Sequence, residues 1–318
     1  MASKVLIIGA CGQIGSELTF ALRERYGNLN VIASDISYSN AEVVNGGLFE
    51  IVDATDYASV KICIEKHGID TVYLMAALLS ATGEKYPMKA WNLNMDSLFH
   101  VLNLAKEGFI KQVFWPSSIA VFGPTTPKNH TPQHTVTAPT TVYGITKQVG
   151  ELWCAYYHKN YGVDVRSLRY PGIISWKTMP GGGTTDYAVD IFYKALEEGA
   201  YTSFLTADTA LPMMYMDDAI AATLTLMEAP AAAIGIRTSY NLSAMSFTPK
   251  VLAAEIQKHL PDFRISYAPD YRQAIADSWP SSIDDSAAQQ DWGWKPKYDL
   301  TALTATMLEK LQEKLGVV

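Results

Sequence analysis

The stretch "KVLIIGACGQIGSELTFALRERYG" (residues 4–27) decides the fold. It opens with a short apolar run, which is typical of a strand buried on both faces of a sheet, and residues 13–27 follow a helical pattern. Between them, Gly9, Gly12 and Gly15 stand at GxxGxxG spacing. Glycines here allow the backbone to turn sharply and approach a pyrophosphate, which rests on the free N–H groups of the helix N-terminus. A tight turn that binds nothing is the alternative.

The rest of the first half repeats this alternation of strand and helix. Further strands are predicted for residues 30–35, 49–54, 70–77, 111–118 and 163–173, and further helices for residues 13–27, 56–68, 88–108 and the segment around Tyr143. Alternation of this kind means parallel strands joined by helical crossovers. The sequence therefore predicts an α/β fold with a doubly wound parallel sheet of the Rossmann type.

Residues at the predicted strand ends fit a dinucleotide. Asp35 ends the second strand, 20 residues after Gly15. A carboxylate there accepts hydrogen bonds from the adenosine ribose hydroxyls and repels a 2′-phosphate, which favours NAD over NADP. Asp53 ends the third strand near the expected adenine edge, and Ala76 and Ala77 leave space beneath the cofactor. Turn or capping aspartates, and alanines packed against a helix, are the alternatives.

The composition narrows the class of protein. Of 318 residues, 48 % are hydrophobic and 18 % charged, as in ordinary globular proteins. The net charge of −7 and the lack of a basic run argue against a nucleic-acid or anionic-membrane partner. Cys11, Cys63 and Cys154 form neither a disulfide framework nor a metal site. With no apolar run approaching the length of a membrane span, we expect a soluble, cytoplasmic protein.

The regular alternation loosens after about residue 174. A Gly-rich loop that leads into a helix is predicted for residues 179–199, a helix for 216–230 and a strand for 238–243. We predict an NAD-binding Rossmann domain over residues 1–174, completed by parts of 213–243. A smaller, mixed, substrate-binding lobe over residues 175–318 is expected to be interleaved with it.

The segment "TTVYGITKQVGEL" (residues 140–152) places Tyr143 and Lys147 one helical turn apart. A free tyrosine has a pKa of about 10, and a neighbouring ammonium lowers that pKa. The two side chains are therefore a candidate acid/base pair, although Tyr and Lys at this spacing also occur by chance. Ser117 and Ser118 end the fifth predicted strand, at the sheet edge where ligands bind. A hydroxyl there can hold a substrate oxygen, or merely cap a loop.

Together, "GACGQIG", Asp35, "PSSIAVFG" and "YGITK" resemble the extended short-chain dehydrogenase/reductase family, and the relatives of UDP-galactose 4-epimerase in particular. The spacing of 25 residues between Ser118 and Tyr143 matches the active site of that family. "MMYMDDAIAA" (residues 213–222) and "DWGWKPKYDL" (residues 291–300) match its later landmarks. The resemblance therefore covers essentially the whole chain.

The resemblance implies roles for individual residues. Tyr143 is the expected general acid/base, Lys147 binds the nicotinamide ribose and lowers the pKa of Tyr143, and Ser118 orients the substrate hydroxyl. Asn94 matches an asparagine with a structural or relay role in the family. The predicted NAD-binding residues are Gly9, Gly12, Gln13, Ile14, Gly15, Asp35, Asp53, Ala76, Ala77, Asn94, Tyr143, Lys147 and Tyr170.

One departure from the family bears on the substrate. Sugar-nucleotide members usually read "RDYIHVDD" where this chain reads "LPMMYMDD" (residues 211–218), so that Leu211 replaces the arginine that clamps the diphosphate. A pyrophosphate requires charge-assisted donors, which an apolar residue cannot supply. This argues against a nucleotide-sugar substrate unless a cation elsewhere compensates.

The segments "PSSIAVFG" and "PGGGTTDYAVDIFYKAL" (residues 180–196) are similar to the short-chain type of L-threonine 3-dehydrogenases. This resemblance implies NAD-dependent oxidation of L-threonine to 2-amino-3-oxobutanoate. Thr185 and Asp186 follow three glycines, so a flexible loop can bring a hydroxyl to a carboxylate and a carboxylate to an ammonium. Helix capping explains both residues equally well. The predicted substrate-binding residues are Ser80, Ser118, Tyr143, Thr185 and Asp186.

Two other functions remain open at this point. One is an NAD-dependent nucleotide-sugar epimerase or dehydratase of the same family. The other is a non-catalytic NAD sensor, against which the acid/base residues argue. The resemblance also implies a homodimer that pairs through the helix of Tyr143 and the long helix before it.

Overall fold

The computed structural model describes residues 3–178 and 183–316. The chain divides into two compact units. The first comprises residues 1–121, 139–169 and 222–240, and the second residues 122–138, 170–221 and 241–318. Each unit is thus assembled from segments that are distant in sequence. We predicted NAD binding by residues 1–174 and substrate binding by residues 175–318. This division of roles stays a prediction.

A parallel sheet forms the centre of the first unit. In the described chain it has six strands, in the order β3-β2-β1-β4-β5-β7. The strands are β1 (Val5–Ile8), β2 (Val31–Asp35), β3 (Phe49–Ile51), β4 (Thr71–Leu74), β5 (Gln112–Phe114) and β7 (Asp164–Arg166). Strand order reverses between β1 and β4, so their carboxyl ends open the crevice where such folds bind ligands. The predicted α/β fold is confirmed.

Helices cross over between these strands. In chain order they are α1 (Gln13–Tyr26), α2 (Ala41–Asn45), α3 (Tyr57–His67), α4 (Ser80–Lys85), α5 (Pro87–Lys106) and α6 (Val142–Tyr161). The ends of α6 follow from its sequence. The Thr141 hydroxyl accepts the Gly144 N–H at the start, and Gly162 adopts a left-handed conformation with φ of 70° at the end.

Apolar side chains from the strands and helices form the core of the first unit. All four residues of β1 are buried. Side chains from neighbouring strands and from α5 pack together, among them Leu6, Ile32, Val72, Leu98, Val101, Val113 and Val165. Gly150 lets α6 pack closely against the Trp115 ring, because a Cβ at this position would lie 2.3 Å from that ring. Burying each large side chain contributes about 1.5–3 kcal/mol.

Two predicted strands are wrong in extent. Residues 111–118 form β5 and a separate strand, β6 (Ser117–Ser118). Residues 163–173 divide into β7, β8 (Leu168–Tyr170) and β9 (Gly172–Ile174), which belong to different sheets. Pro116 and Pro171 stand at two of the breaks, where a residue without an N–H cannot continue a ladder.

Short mixed sheets and helices characterise the rest of the chain. The described strands β10 (Ala200–Ser203), β11 (Leu211–Tyr215), β12 (Tyr240–Asn241), β13 (Met245–Phe247) and β14 (Arg264–Tyr267) complete sheets of order β13-β11-β9, β10-β14 and β12-β8-β6. The helices are α7 (Tyr187–Glu198), α8 (Met216–Glu228), α9 (Pro249–Gln257), α10 (Arg272–Ser278), α11 (Ser286–Trp292) and α12 (Leu300–Leu315). Across residues 3–178 and 183–316, no helix is long and apolar enough to cross a membrane.

Candidate active site

A cavity of 230 Å³ opens at the carboxyl ends of the central strands. Its lining includes Gly9, Gly12, Asp35, Asp53, Ala76 and Ala77. These six residues were all predicted to bind the cofactor, and they come from the ends of four strands or from the turns that follow. The tertiary structure therefore collects them around one space at the point where strand order reverses.

The glycine turn keeps this cavity open. Gly9 has a φ of 90°, and a Cβ there would lie 2.5 Å from the Ala76 backbone nitrogen. A Cβ on Gly15 would lie 2.1 Å from the Gly9 carbonyl oxygen. Neither position accepts a side chain without movement of the backbone. At Gly12 the nearest atom would be 3.5 Å away, an ordinary contact. Gly12 is exposed at the start of α1, where a bound phosphate would meet the first N–H groups of the helix.

Two aspartates of the cavity are held by backbone donors. Asp35 accepts the Cys11 N–H on Oδ2 at 2.9 Å and the Ile36 N–H on Oδ1 at 2.8 Å. These bonds fix the carboxylate beside the glycine turn and leave each oxygen with further acceptor capacity for ribose hydroxyls. Asp53 Oδ1 accepts from the N–H and the hydroxyl of Thr55 at 2.8 and 2.7 Å. Asp53 thus lines the cavity and also stabilises a turn.

Asn94 connects three segments of the first unit. Its Oδ1 accepts the Leu78 N–H at 2.8 Å, and its Nδ2 donates to the Leu78 carbonyl and to Thr146 Oγ1, each at 3.1 Å. Both amide hydrogens are therefore used within the protein, which fits the structural role better than donation to a cofactor. Gln13 and Ile14 begin α1, and Tyr170 is buried at the end of β8. Their predicted contacts with NAD stay predictions.

The structure places the Ser118 hydroxyl close enough to the Tyr143 phenol to affect its pKa. Tyr143 lies in the first turn of α6, and Ser118 Oγ also accepts the Ala120 N–H at 3.2 Å. Loss of water around the half-buried phenol raises the pKa of Tyr143 to about 12, while the Ser118 hydroxyl acts in the opposite direction. The expected lowering of this pKa is therefore wrong for the protein alone, because desolvation outweighs stabilisation of the phenolate.

Lys147 lies buried one turn further along α6, with 3 % of its surface exposed. Its Nζ donates to the Pro116 carbonyl at 2.6 Å and lies 5.4 Å from the centre of the Tyr143 ring. Burial lowers the pKa of Lys147 to about 7, and the nearby Cys154 and Glu151 act in the opposite direction. The buried site therefore disfavours the ammonium form of Lys147.

The predicted substrate-binding residues outside this cluster lie in two places. Ser80 is buried at the start of α4, in the first unit. In the second unit, Thr185 packs against Gly172, and Asp186 Oδ2 accepts the Gly183 N–H at 2.7 Å. The carbonyls of Thr185 and Asp186 accept N–H groups of α7, but the Asp186 side chain makes no capping hydrogen bond to this helix. Gly181 and Gly182, two of the three preceding glycines, lie outside the described residues, and substrate contacts by Thr185 and Asp186 stay predictions.

Two charged residues beside the cluster were not predicted. Glu151, one turn after Lys147, and Arg169 of β8 are both buried and form an ion pair at 2.7 Å. Only the helical spacing of Glu151 from Lys147 could have indicated its position from the sequence. Within the described residues, no group of three or more His, Cys, Asp or Glu side chains is arranged to hold a metal ion.

The glycine turn, the cavity at the switch point and the half-buried Asp35 define a dinucleotide-binding protein of the Rossmann type. The chain belongs to the NAD dependent epimerase/dehydratase family, whose model matches residues 5–243. NAD is the cofactor of this family, and the cavity residues fit it: the glycines admit a pyrophosphate, and the Asp35 carboxylate is placed for a ribose without a 2′-phosphate.

Similar proteins span the full chain. An uncharacterized epimerase/dehydratase of Staphylococcus haemolyticus is 51 % identical over 98 % of both chains. The holo form of a GalE-like L-threonine dehydrogenase from Cupriavidus necator is 60 % identical, with a TM-score of 0.95, over 97 % of this chain and 99 % of that one. A monomeric L-threonine 3-dehydrogenase from a metagenome is 48 % identical, with a TM-score of 0.93, over 98 % and 99 %.

Proposed function

We propose that this protein oxidises L-threonine to 2-amino-3-oxobutanoate with NAD as the oxidant. The observation that carries the proposal is the closeness of the Ser118 hydroxyl to the Tyr143 phenol, with the buried Lys147 one turn further along α6. High identity to L-threonine dehydrogenases over nearly the whole chain supports the choice of substrate.

Each of the three side chains has a distinct role in the proposed reaction. Bound NAD supplies the acceptor for the hydride that leaves Cβ of threonine. The Ser118 hydroxyl holds the substrate oxygen, and the Tyr143 phenolate takes the hydroxyl proton as the carbonyl forms. Because burial alone disfavours the phenolate, the ammonium of Lys147 is needed beside it to stabilise the negative charge.

A nucleotide-sugar epimerase or dehydratase is the second candidate, favoured by the family model. The structure of the second unit provides an argument against it. Leu211, at the position of the diphosphate-clamping arginine, is fully buried in β11 and pairs in register with Phe247. This position therefore supplies no cation for a pyrophosphate.

A substrate panel separates these functions. NADH absorbance is followed with L-threonine, L-allo-threonine and UDP-glucose, and UDP-glucose binding is measured by calorimetry. We expect NADH formation with L-threonine and no saturable binding of UDP-glucose. Binding of the nucleotide sugar without threonine turnover would favour the epimerase, and NAD binding without turnover of any substrate would favour the sensor.

We also propose a homodimer through α5 and α6. Large apolar side chains are exposed on both helices, namely Met88 and Trp91 on α5 and Leu152 and Tyr156 on α6. Covering them would remove apolar surface from water. Light scattering should give the mass of a dimer, and Leu152→Glu should lower it to that of a monomer. A monomeric unsubstituted protein would contradict the proposal.

A further inference from the structure

The buried carboxylate of Glu151 has no role in the reaction described above. It lies on α6, one turn beyond Lys147, with 3 % of its surface exposed. Its Oε1 accepts from Ser117 Oγ at 2.6 Å and from Arg169 Nε at 2.8 Å, and its Oε2 accepts from Arg169 Nη2 at 2.7 Å. The Arg169 guanidinium thus donates to both carboxylate oxygens of Glu151, and the hydroxyl of Ser117, the residue before Ser118, donates to one of them.

Stability alone does not explain this ion pair. Transfer of two charges from water into a protein interior is costly, and apolar replacements of similar volume are often neutral or stabilising. A glutamate four residues after a lysine on a helix is also placed to pair with that lysine. Here Glu151 instead bonds to Arg169 and Ser117, while Lys147 donates to the Pro116 carbonyl.

We propose that Glu151 and Arg169 form a positioning pair for the Ser118–Tyr143–Lys147 cluster. The pair fastens Ser117, and with it the neighbouring Ser118, to the helix that carries Tyr143. It also keeps the Glu151 carboxylate from forming an ion pair with the Lys147 ammonium. This inference rests on the roles proposed for Ser118, Tyr143 and Lys147, but not on the identity of the substrate.

The charges around Lys147 give the proposal a directional consequence. On α6, the groups beside Lys147 are Tyr143, Glu151 and Cys154. The Trp115 ring and the Pro116 carbonyl face it from the connection between β5 and β6. Arg169 of β8 lies next to these groups and bonds to Glu151. Burial raises the pKa of the Cys154 thiol above its usual range, so this thiol stays uncharged near neutral pH. The fixed charges beside Lys147 are therefore the negative charge of Glu151 and the positive charge of Arg169.

Removing either charge should move the titration of Lys147 in a different direction. Glu151→Gln keeps an oxygen for the Ser117 hydroxyl but removes the negative charge that faces Arg169, which disfavours the ammonium and lowers the pKa of Lys147. Arg169→Met leaves an unopposed carboxylate that pairs with Lys147 and raises its pKa. We expect shifts of about one pH unit each. In the double variant, Lys147 should titrate close to its original value.

The measurement is an NMR titration of the full-length protein carrying lysine labelled with ¹³C at Cε, with Lys147→Met to assign the resonance. The matched control is Asp164→Asn, which breaks the ion pairs of Asp164 with Arg166 and Arg237; Arg166 is 3 % exposed and Arg169 is 5 % exposed. That substitution removes a charge beside a similarly buried arginine and should leave the titration of Lys147 unchanged. Arg169→Lys, which keeps the positive charge, should lie closer to the original titration than Arg169→Met.

Circular dichroism identifies the variants that fold. An unchanged Lys147 titration in folded Glu151→Gln would overturn the proposal even if Arg169→Met failed to fold, and so would shifts of the two variants in the same direction. The titration needs no substrate, so absence of threonine turnover would refute the proposed function without touching this result. In whatever NADH-forming reaction is found, the pH profile of kcat/KM should shift in the same directions as the Lys147 resonance.

Discussion

The NAD cavity and the Ser118–Tyr143–Lys147 cluster lie in the same unit but are built in different ways. The cavity is shaped by backbone and by missing side chains, since a Cβ on Gly9 or Gly15 would collide with main-chain atoms. The cluster consists of titratable groups whose pKa values are displaced by burial. The comparison indicates that added atoms should damage the first region, while removed functional groups or altered charges should damage the second.

The largest effect on turnover is expected for Tyr143, the proton acceptor in the proposed reaction. Tyr143→Phe keeps the ring and removes the group that accepts the proton, so turnover of L-threonine should fall by about 10²- to 10⁴-fold. NAD affinity should fall far less than turnover, because the substitution leaves the glycine turn and Asp35 in place. NADH absorbance and NAD titration by calorimetry measure the two quantities. Near-normal turnover would remove Tyr143 from the proposed mechanism.

The buried cation of Lys147 should make stability depend on pH. Its pKa is about 7 in the folded protein and 10.5 for an ordinary lysine side chain, so the unfolded chain binds more protons between these values. Stability should therefore rise with pH across this interval, by at most about 1.4 kcal/mol per pH unit. Subtracting the profile of Lys147→Met, from urea unfolding at each pH, isolates this contribution. Parallel profiles for the two proteins would show that the amine is not desolvated.

The first region is tested by adding a single carbon. In Gly15→Ala the new Cβ meets the Gly9 carbonyl oxygen at 2.1 Å, so the turn must move and unfolding should become easier by about 1–3 kcal/mol. Gly12→Ala is the matched control, because its Cβ makes an ordinary contact at 3.5 Å and should change stability by less than about 0.5 kcal/mol. Both are measured by urea unfolding without NAD. Equal stabilities would mean that the turn is not sterically restricted.

The smallest expected effect is on stability, at the N-terminus of α6, the helix that carries Tyr143. Glu84 of α4 accepts the N–H of Val142, the first residue of α6, at 2.7 Å. Glu84→Gln removes a negative charge from this helix end and should cost about 0.3–1 kcal/mol. Glu24→Gln, at an exposed position inside α1, is the control and should be nearly neutral. If both variants unfold at the same urea concentration, the charge of Glu84 does not stabilise α6.

The sequence alone determined the features that depend on near neighbours along the chain. The alternation of apolar runs and helical patterns identified the parallel sheet, and glycine spacing together with Asp35 indicated residues that line one cavity. The distance of four residues between Tyr143 and Lys147 placed both on one helix face. Such features follow from local backbone geometry, which a few residues fix by themselves.

Only the tertiary structure decided what distant segments do to one another. It divided residues 111–118 and 163–173 among several sheets, and it joined Glu151 of α6 to Arg169 of β8. It also reversed the expected direction of the Tyr143 pKa. The physical reason is desolvation: the loss of water around a titratable group depends on everything packed around it, and those atoms come from segments that the local sequence pattern does not identify.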